Sequence, residues 1–324
     1  MGRYIDLHLH LDGAISPHIA RRLAGLQDMP LPSTDDELAR ALSVPETCSS
    51  LNDFLRCFDL PVSLLQTPGS VEEAVRLVAD EAASHGAIYV EIRFAPQLHC
   101  RQGMTQDEAV TAAERGARAA SIPVNLILCL MRGASEETNS ETVDVALGHV
   151  VETGGVVALD LAGAEALYPT EAYAGLFGRA RREGIPFTIH AGEAAGPESV
   201  RAALAMGAFR IGHGVRASQD PILVDELAKA GVPLEVCPTS NLMTRAVESA
   251  ASHPLVPFLE RGIVVTVNTD DPAIELTTID NEFAYCREIL GMGAEQERLC
   301  LSNAVEAAFT TQKMKAELLA QLGL

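Results

Sequence analysis

The feature that most limits what this chain can fold into is a repeated alternation of helix and strand. Helix-periodic segments at 72–84, 105–120, 139–152, 171–183, 197–206, 220–230 and 254–261 each lead into a short apolar run. Those runs are 87–94, 124–131, 156–161, 185–190, 209–212, 232–236 and 263–268. With 4–8 at the start there are eight strand-like runs, and a helix precedes each of the later seven. Strands joined through helices must lie parallel, and eight such units predict an α/β fold of the (β/α)8 TIM-barrel type. A length of 324 residues suits one barrel, so 1–324 is expected to form one domain.

Two stretches exceed the repeat. Residues 16–80 read as mostly helical, opened by Ser16 and Pro17 in the N-cap and N1 manner and punctuated by Pro30, Pro32, Pro45, Pro61 and Pro68. That is more helix than one strand-to-strand connection needs, so an insertion at the catalytic mouth is expected. Within it Leu51, Phe54, Leu55 and Phe58 form an apolar stripe that serves either core packing or a lid over a flat apolar substrate. Helices from Thr278 onward close the chain.

Composition narrows the partners. Hydrophobic residues make up 48% of the chain but aromatics only 4%, with no Trp, so Ala, Leu, Val and Ile must fill the core. A net charge of -20 argues against nucleic acid and anionic membranes, both of which require Lys and Arg to displace counterions. The start reads directly into a charged, His-rich segment, and no apolar run is long enough to span a bilayer. The seven cysteines are scattered with no C-x-x-C pair, which suits reduced thiols and a cytoplasmic location.

Barrel enzymes place their chemistry at the C-terminal ends of the strands. Here those ends carry His8-x-His10, Asp160-Leu-Ala-Gly163, His190-Ala-Gly-Glu193, Gly212-His213-Gly214, Cys237-Pro-Thr-Ser-Asn241 and Thr269-Asp270-Asp271-Pro272. Residues i and i+2 of a strand point the same way, so His8 and His10 can meet at one point. They can do so as two ligands of one metal or as two inward histidines with ordinary hydrogen bonds. Cys237 has no partner cysteine and reads as a packing thiol, and His85, His99, His149 and His253 lie outside these motifs.

These motifs, together with His-Leu-Asp-Gly-Ala after the first strand, Arg-Ile-Gly-His-Gly-Val (210–215) and Thr-Thr-Ile-Asp-Asn-Glu-Phe (277–283), resemble the adenosine deaminase family in content and order across essentially the whole chain. The resemblance implies one Zn2+ per chain on His8, His10, His190 and Asp270, with a water completing the site. It implies that Glu193 protonates purine N1 while hydroxide attacks C6, and that His213 orients that hydroxide. Asp271 would meet N7, the Gly163 N–H would meet N3, and Asp12 with His10 nearby would bind the ribose hydroxyls. Leu51, Phe54 and Leu55 would cover the purine. The implied reaction is hydrolytic deamination of adenosine and 2′-deoxyadenosine, with a purine nucleoside as the small-molecule partner.

Neighbouring chemistries fit less well. A two-metal barrel bridged by a modified Lys would need that Lys on the fourth strand, and Lys229, Lys313 and Lys315 all lie elsewhere. Zinc deaminases of the H-x-E and P-C-x-x-C type have no counterpart here. A non-haem iron oxygenase would use two His and one carboxylate with open positions. Adenine, or an adenosine-like nucleoside with another 5′ group, is the nearest alternative substrate. Adenine deaminases of this superfamily commonly carry Asp before the motif His and Ser in the last motif, where this chain has Gly212 and Thr269. A catalytically inert barrel would lack ligands or the acid, and all of them are present.

Overall fold

The computed structural model describes residues 2–44 and 55–324, the side chains of 55 and 56 excepted. Its eight parallel strands are β1 (Tyr4–His10), β2 (Ala87–Phe94), β3 (Val124–Met131), β4 (Val156–Ala162), β5 (Thr188–Ala191), β6 (Arg210–His213), β7 (Leu234–Val236) and β8 (Val265–Val267). They pair in sequence order as two four-stranded halves, β1 to β4 and β5 to β8. Single parallel bridges join the halves at both seams, Leu159 with Phe187 and Leu9 with Asp270. The strands thus run round a closed ring, which is the predicted (β/α)8 barrel.

Local chemistry explains where the elements begin. The helix before β2 spans Pro68–Ser84, four residues longer at its start than its periodicity predicts. Thr67 caps it by accepting from the Ser70 N–H, and Pro68 sits at its first turn. The helix Gln106–Ala119 is opened by a Thr105 and Glu108 capping box. β2 and β3 have the predicted bounds, and both are buried along nearly their whole length on both faces as parallel strands are. β5, β7 and β8 begin two or three residues later than expected. The Ile185 N–H is spent on Ala180 O, closing the preceding helix, and Pro186 and Pro233 have no N–H to give a ladder. The inserted helices Pro17–Gln27, Asp35–Leu42 and Asp59–Ser63 lie within the predicted 16–80 stretch.

The interior is not purely apolar. Arg93 on β2 and Arg210 on β6 are both completely buried. The Arg210 guanidinium donates to Glu235 at 2.5 Å, to Glu91 at 2.6 Å and to the Ala307 carbonyl at 2.8 Å, and stacks on Phe309 at 4.0 Å. The Phe309 N–H donates to Glu91 at 2.6 Å, and Asn125 donates to the Phe309 carbonyl at 2.7 Å. The turn after helix Ala294–Ala307 therefore plugs the lower end of the barrel through charged side chains. Among the described residues no helix is long and apolar enough to cross a membrane, and Cys100, Cys129, Cys237, Cys286 and Cys300 form no disulfide.

Truncating one member of such a network strands the others in a low-dielectric interior. Arg210→Ala is expected to lose about 3–5 kcal/mol of unfolding free energy in urea titrations, because Glu91 and Glu235 lose their shared partner in a buried site.

Candidate active site

The upper seam of the barrel builds the site. Asp270 follows β8 and pairs with β1 on both sides: its N–H donates to His8 O at 2.8 Å, and its carbonyl accepts from the His10 N–H at 2.8 Å. The backbone there is in the left-handed region, at φ 68° for Asp270, as it is at φ 58° for His213, the last residue of β6. Neither residue is glycine, and such strain collects at functional sites.

The side chains converge from β1, β5 and the end of β8. His190 Nε2 lies 3.0 Å from His8 Nε2 and 3.1 Å from His10 Nε2. Asp270 Oδ1 lies 3.1 Å from His8 Nε2 and 3.3 Å from His10 Nε2. Hydrogen bonding alone cannot satisfy this arrangement. His8 Nδ1 meets Glu235 at 2.8 Å and His190 Nδ1 meets Asp160 at 2.9 Å. Burial pushes both carboxylates up, but Arg93 and their other cationic neighbours outweigh it and hold both well below the usual range. Ionised carboxylates only accept, so each Nδ1 carries the proton and each Nε2 lone pair faces the cluster.

Few protons are available to fill the gap. Burial drives His190 down to about 4 and His10 well below its ordinary value. Burial and Arg93 also push His8 down, but Asp270 and Glu235 raise it on balance. With a proton already on Nδ1 of both His8 and His190, only an added proton could fill the space between Nε2 atoms 3.0 Å apart. A divalent cation would take its place. Three imidazole nitrogens and one carboxylate oxygen suit a tetrahedral ion, whose ligands would stand about 3.3 Å apart for bonds of about 2.0 Å.

His213 joins the same group, with Nε2 3.7 Å from both Asp270 and Glu193 and Nδ1 3.0 Å from the Asn241 amide. Glu193 is buried. Burial raises its pKa, the nearby Asp270 and Glu165 charges raise it further, and His213 and Thr244 only partly offset them. Asp271 is raised well above the carboxylate range by burial, then by Asp270, Asp12 and Glu193, and its Oδ1 has no hydrogen-bond partner among the described residues. Burial raises Asp12 to about 6. A Cβ on residue 13 would lie 1.7 Å from Asp271 Oδ1, so only glycine lets that carboxyl reach its place.

These groups share one cleft of about 250 Å³, the scale of a small-molecule site. His10, Asp12, Gly163, His190, Glu193, His213, Asp270 and Asp271 all line it, opposite an apolar wall that includes Val62, Leu98 and Met131. His8 is fully buried beneath the cleft. Of the apolar stripe, Phe58 lines the cleft, whereas Leu51, Phe54 and the Leu55 side chain lie outside the described residues. Cys237 is buried and donates weakly to Glu235 O at 3.5 Å, as a packing thiol would. Thr269 turns away from the cleft and donates to Asp6 at 2.6 Å.

Several supporting residues escape a reading of the strand ends. Arg93 holds Asp160 at 2.8 Å and Glu235 at 2.9 Å, the two carboxylates behind His190 and His8. Glu165 accepts from four successive backbone N–H groups beside Glu193. Charged residues at alternate positions of apolar runs, Glu91 and Arg93 in β2, mark inward-facing polar groups and are a signal for the first set. Glu165 has no comparable signal.

The model of the family described as adenosine deaminase matches residues 4–323. A Haemophilus ducreyi protein named adenosine deaminase is 46% identical over 98% of this chain and 95% of its own. Among solved structures, an adenine deaminase from Arthrobacter aurescens superposes with a TM-score of 0.90 at 28% identity, covering 100% of this chain and 98% of that one. An Arabidopsis N6-mAMP deaminase does so with a TM-score of 0.84 at 25% identity, covering 99% and 97%. With its site built at the strand ends of a parallel barrel, the chain belongs to the adenosine deaminase family of hydrolases.

Proposed function

We propose that the protein hydrolyses adenosine and 2′-deoxyadenosine to inosine and 2′-deoxyinosine with release of ammonia, a purine-salvage reaction, using one zinc ion. The observation that carries this reading is the junction, in one cleft, of a three-imidazole, one-carboxylate donor set with a buried acid, Glu193, 3.7 Å from His213. In this reading His8, His10, His190 and Asp270 hold the zinc. Zinc so bound lowers the pKa of a coordinated water to about 7 and thereby supplies a nucleophile at neutral pH.

The chain's own groups do the rest. Adenine resists addition at C6 because addition breaks ring conjugation, so N1 must gain a proton as the nucleophile arrives. Glu193 carries that proton, and its raised pKa keeps the acid form available. His213 orients the attacking oxygen toward C6. Asp271, biased toward its protonated form by burial and then by its acidic neighbours, donates to N7. The Gly163 N–H meets N3, at a residue whose φ of 100° suits glycine. Asp12 accepts from the ribose hydroxyls.

Substrate choice turns on the sugar end. Asp12 favours ribose hydroxyls and disfavours a 5′-phosphate. A second reading, in which the substrate carries an anionic 5′ group, draws on one observation: Arg101 lies at the mouth of the same cleft. Because Thr269 bonds Asp6 and not the cleft, its identity bears on substrate choice only through the backbone of Asp270.

Three outcomes test the proposal. Metal analysis should find one zinc per chain, and chelation should abolish turnover until zinc is restored; full activity after chelation would exclude the metal role. Glu193→Gln should retain zinc and nucleoside binding but lose on the order of 10²-fold or more in kcat. Ultraviolet assays should rank adenosine and 2′-deoxyadenosine far above AMP and adenine, with Asp12→Ala costing adenosine about 1.5–3 kcal/mol in kcat/KM and leaving adenine nearly unchanged. AMP or adenine as the best substrate would overturn the nucleoside assignment.

A further inference from the structure

The loop that carries Glu193 is held from below by a second glutamate. Glu165, in the loop after β4, accepts from the N–H groups of Gly192 at 2.7 Å, Glu193 at 3.0 Å, Ala194 at 2.6 Å and Ala195 at 2.9 Å. The Ser199 hydroxyl donates a fifth bond at 2.5 Å. Consecutive N–H groups turned inward form an anion-binding concavity, and here the anion is part of the chain. Gly192 makes the turn possible with φ 74°; a Cβ there would lie 2.6 Å from Val200.

Arg132 fixes the start of this segment and joins the same network. Arg132 donates to His190 O at 2.7 Å and to Thr170 at 2.8 Å, and the Thr170 hydroxyl lies 2.7 Å from that of Ser199. Glu165 is 2% exposed, and burial alone would raise its pKa. The Ser199 hydroxyl, the backbone donors and Arg132 outweigh burial and keep it ionised. A strap needed only for stability could end on one or two amides. This one takes every N–H from 192 to 195, the segment that sets the Cα–Cβ direction of Glu193.

We propose that Glu165 is a positioning residue for the proton donor: its carboxylate fixes the main chain at 192–195 so that Glu193 meets the purine ring without searching for its geometry. The proposal rests on the proton-transfer role of Glu193 given above. A catalytic group displaced by about 1 Å can lose about 10²-fold in rate, so a substituted Glu165 should act on kcat and leave nucleoside binding and metal in place.

The test compares Glu165→Gln, Glu193→Gln and the double variant in the full-length zinc-loaded protein, with adenosine as substrate. A glutamine amide presents an N–H where the strap needs an acceptor. Glu165→Gln is expected to lower kcat about 30- to 100-fold, with KM within about threefold and zinc stoichiometry intact. Because it acts through Glu193, the double variant should be no slower than Glu193→Gln alone, the non-additivity of two residues acting through one group. A kcat for Glu165→Gln within about threefold of the parent, or a double variant slowed by the product of the two losses, would overturn the positioning role. If Glu193→Gln itself turns over normally, the proton-donor reading has failed instead. Should Glu165→Gln not fold, Ser199→Ala removes one of the five donors. It should lower kcat about three- to tenfold at unchanged KM, and an unchanged kcat would count against the proposal.

Discussion

Closure of the barrel between β1 and the residue after β8 is the interaction on which the site depends. The two hydrogen bonds that tie Asp270 to the backbone of His8 and His10 both shut the sheet and set a carboxylate beside two imidazoles. Fold and site are therefore one event. The ring cannot close without assembling three of the four donors, and His190 arrives from the opposite half, whose own seam is fixed by Leu159 and Phe187. Loss of that pairing would open the sheet and scatter the donors together.

The donors are aimed by charges that a barrel interior would ordinarily exclude. Arg93 bridges the carboxylates behind His8 and His190, and Glu235 passes the chain on to Arg210, Glu91 and the plug at Phe309. Burying so many ions is costly and does little for net stability against an apolar core. Its return is orientation. Each histidine is fixed to one tautomer because its Nδ1 faces an acceptor that cannot give up a proton. The same network ties the C-terminal turn to the underside of the site, so the last helices complete the barrel rather than merely ending the chain.

Much of this was legible in the sequence, for identifiable reasons. Period-two spacing puts His8 and His10 on one face, and strand-end position singles out His190, His213 and Asp270. The bounds of β2 and β3 are legible because turn and breaker residues flank them, Gly86 and Pro96 around one and Pro123 and Gly133 around the other. β5, β7 and β8 were overextended because apolar residues before a strand also close the preceding helix, as Ile185 does by bonding to Ala180. Glu165 was illegible because its meaning lies in contacts 27 to 34 residues away, with backbone atoms that every residue possesses. Leu51 and Phe54 of the apolar stripe fall outside the described residues, so the stripe is answered only at Phe58.

The sharpest division of labour is between two adjacent residues. Asp270 and Asp271 share a backbone and a burial depth, yet their carboxyls are driven in opposite directions. Burial raises both. For Asp270, His8, His213 and His10 more than reverse it, and the group stays an anion. For Asp271 the neighbours are Asp270, Asp12 and Glu193, each of which adds to burial. The left-handed turn at Asp270 is what separates them, since it points one side chain at the imidazoles and frees the next to lie against Gly13. One carboxyl is thereby biased toward its anionic form and the other toward its protonated form. An extended backbone at residue 270 would set both on opposite faces of a strand, and only one could reach the cleft.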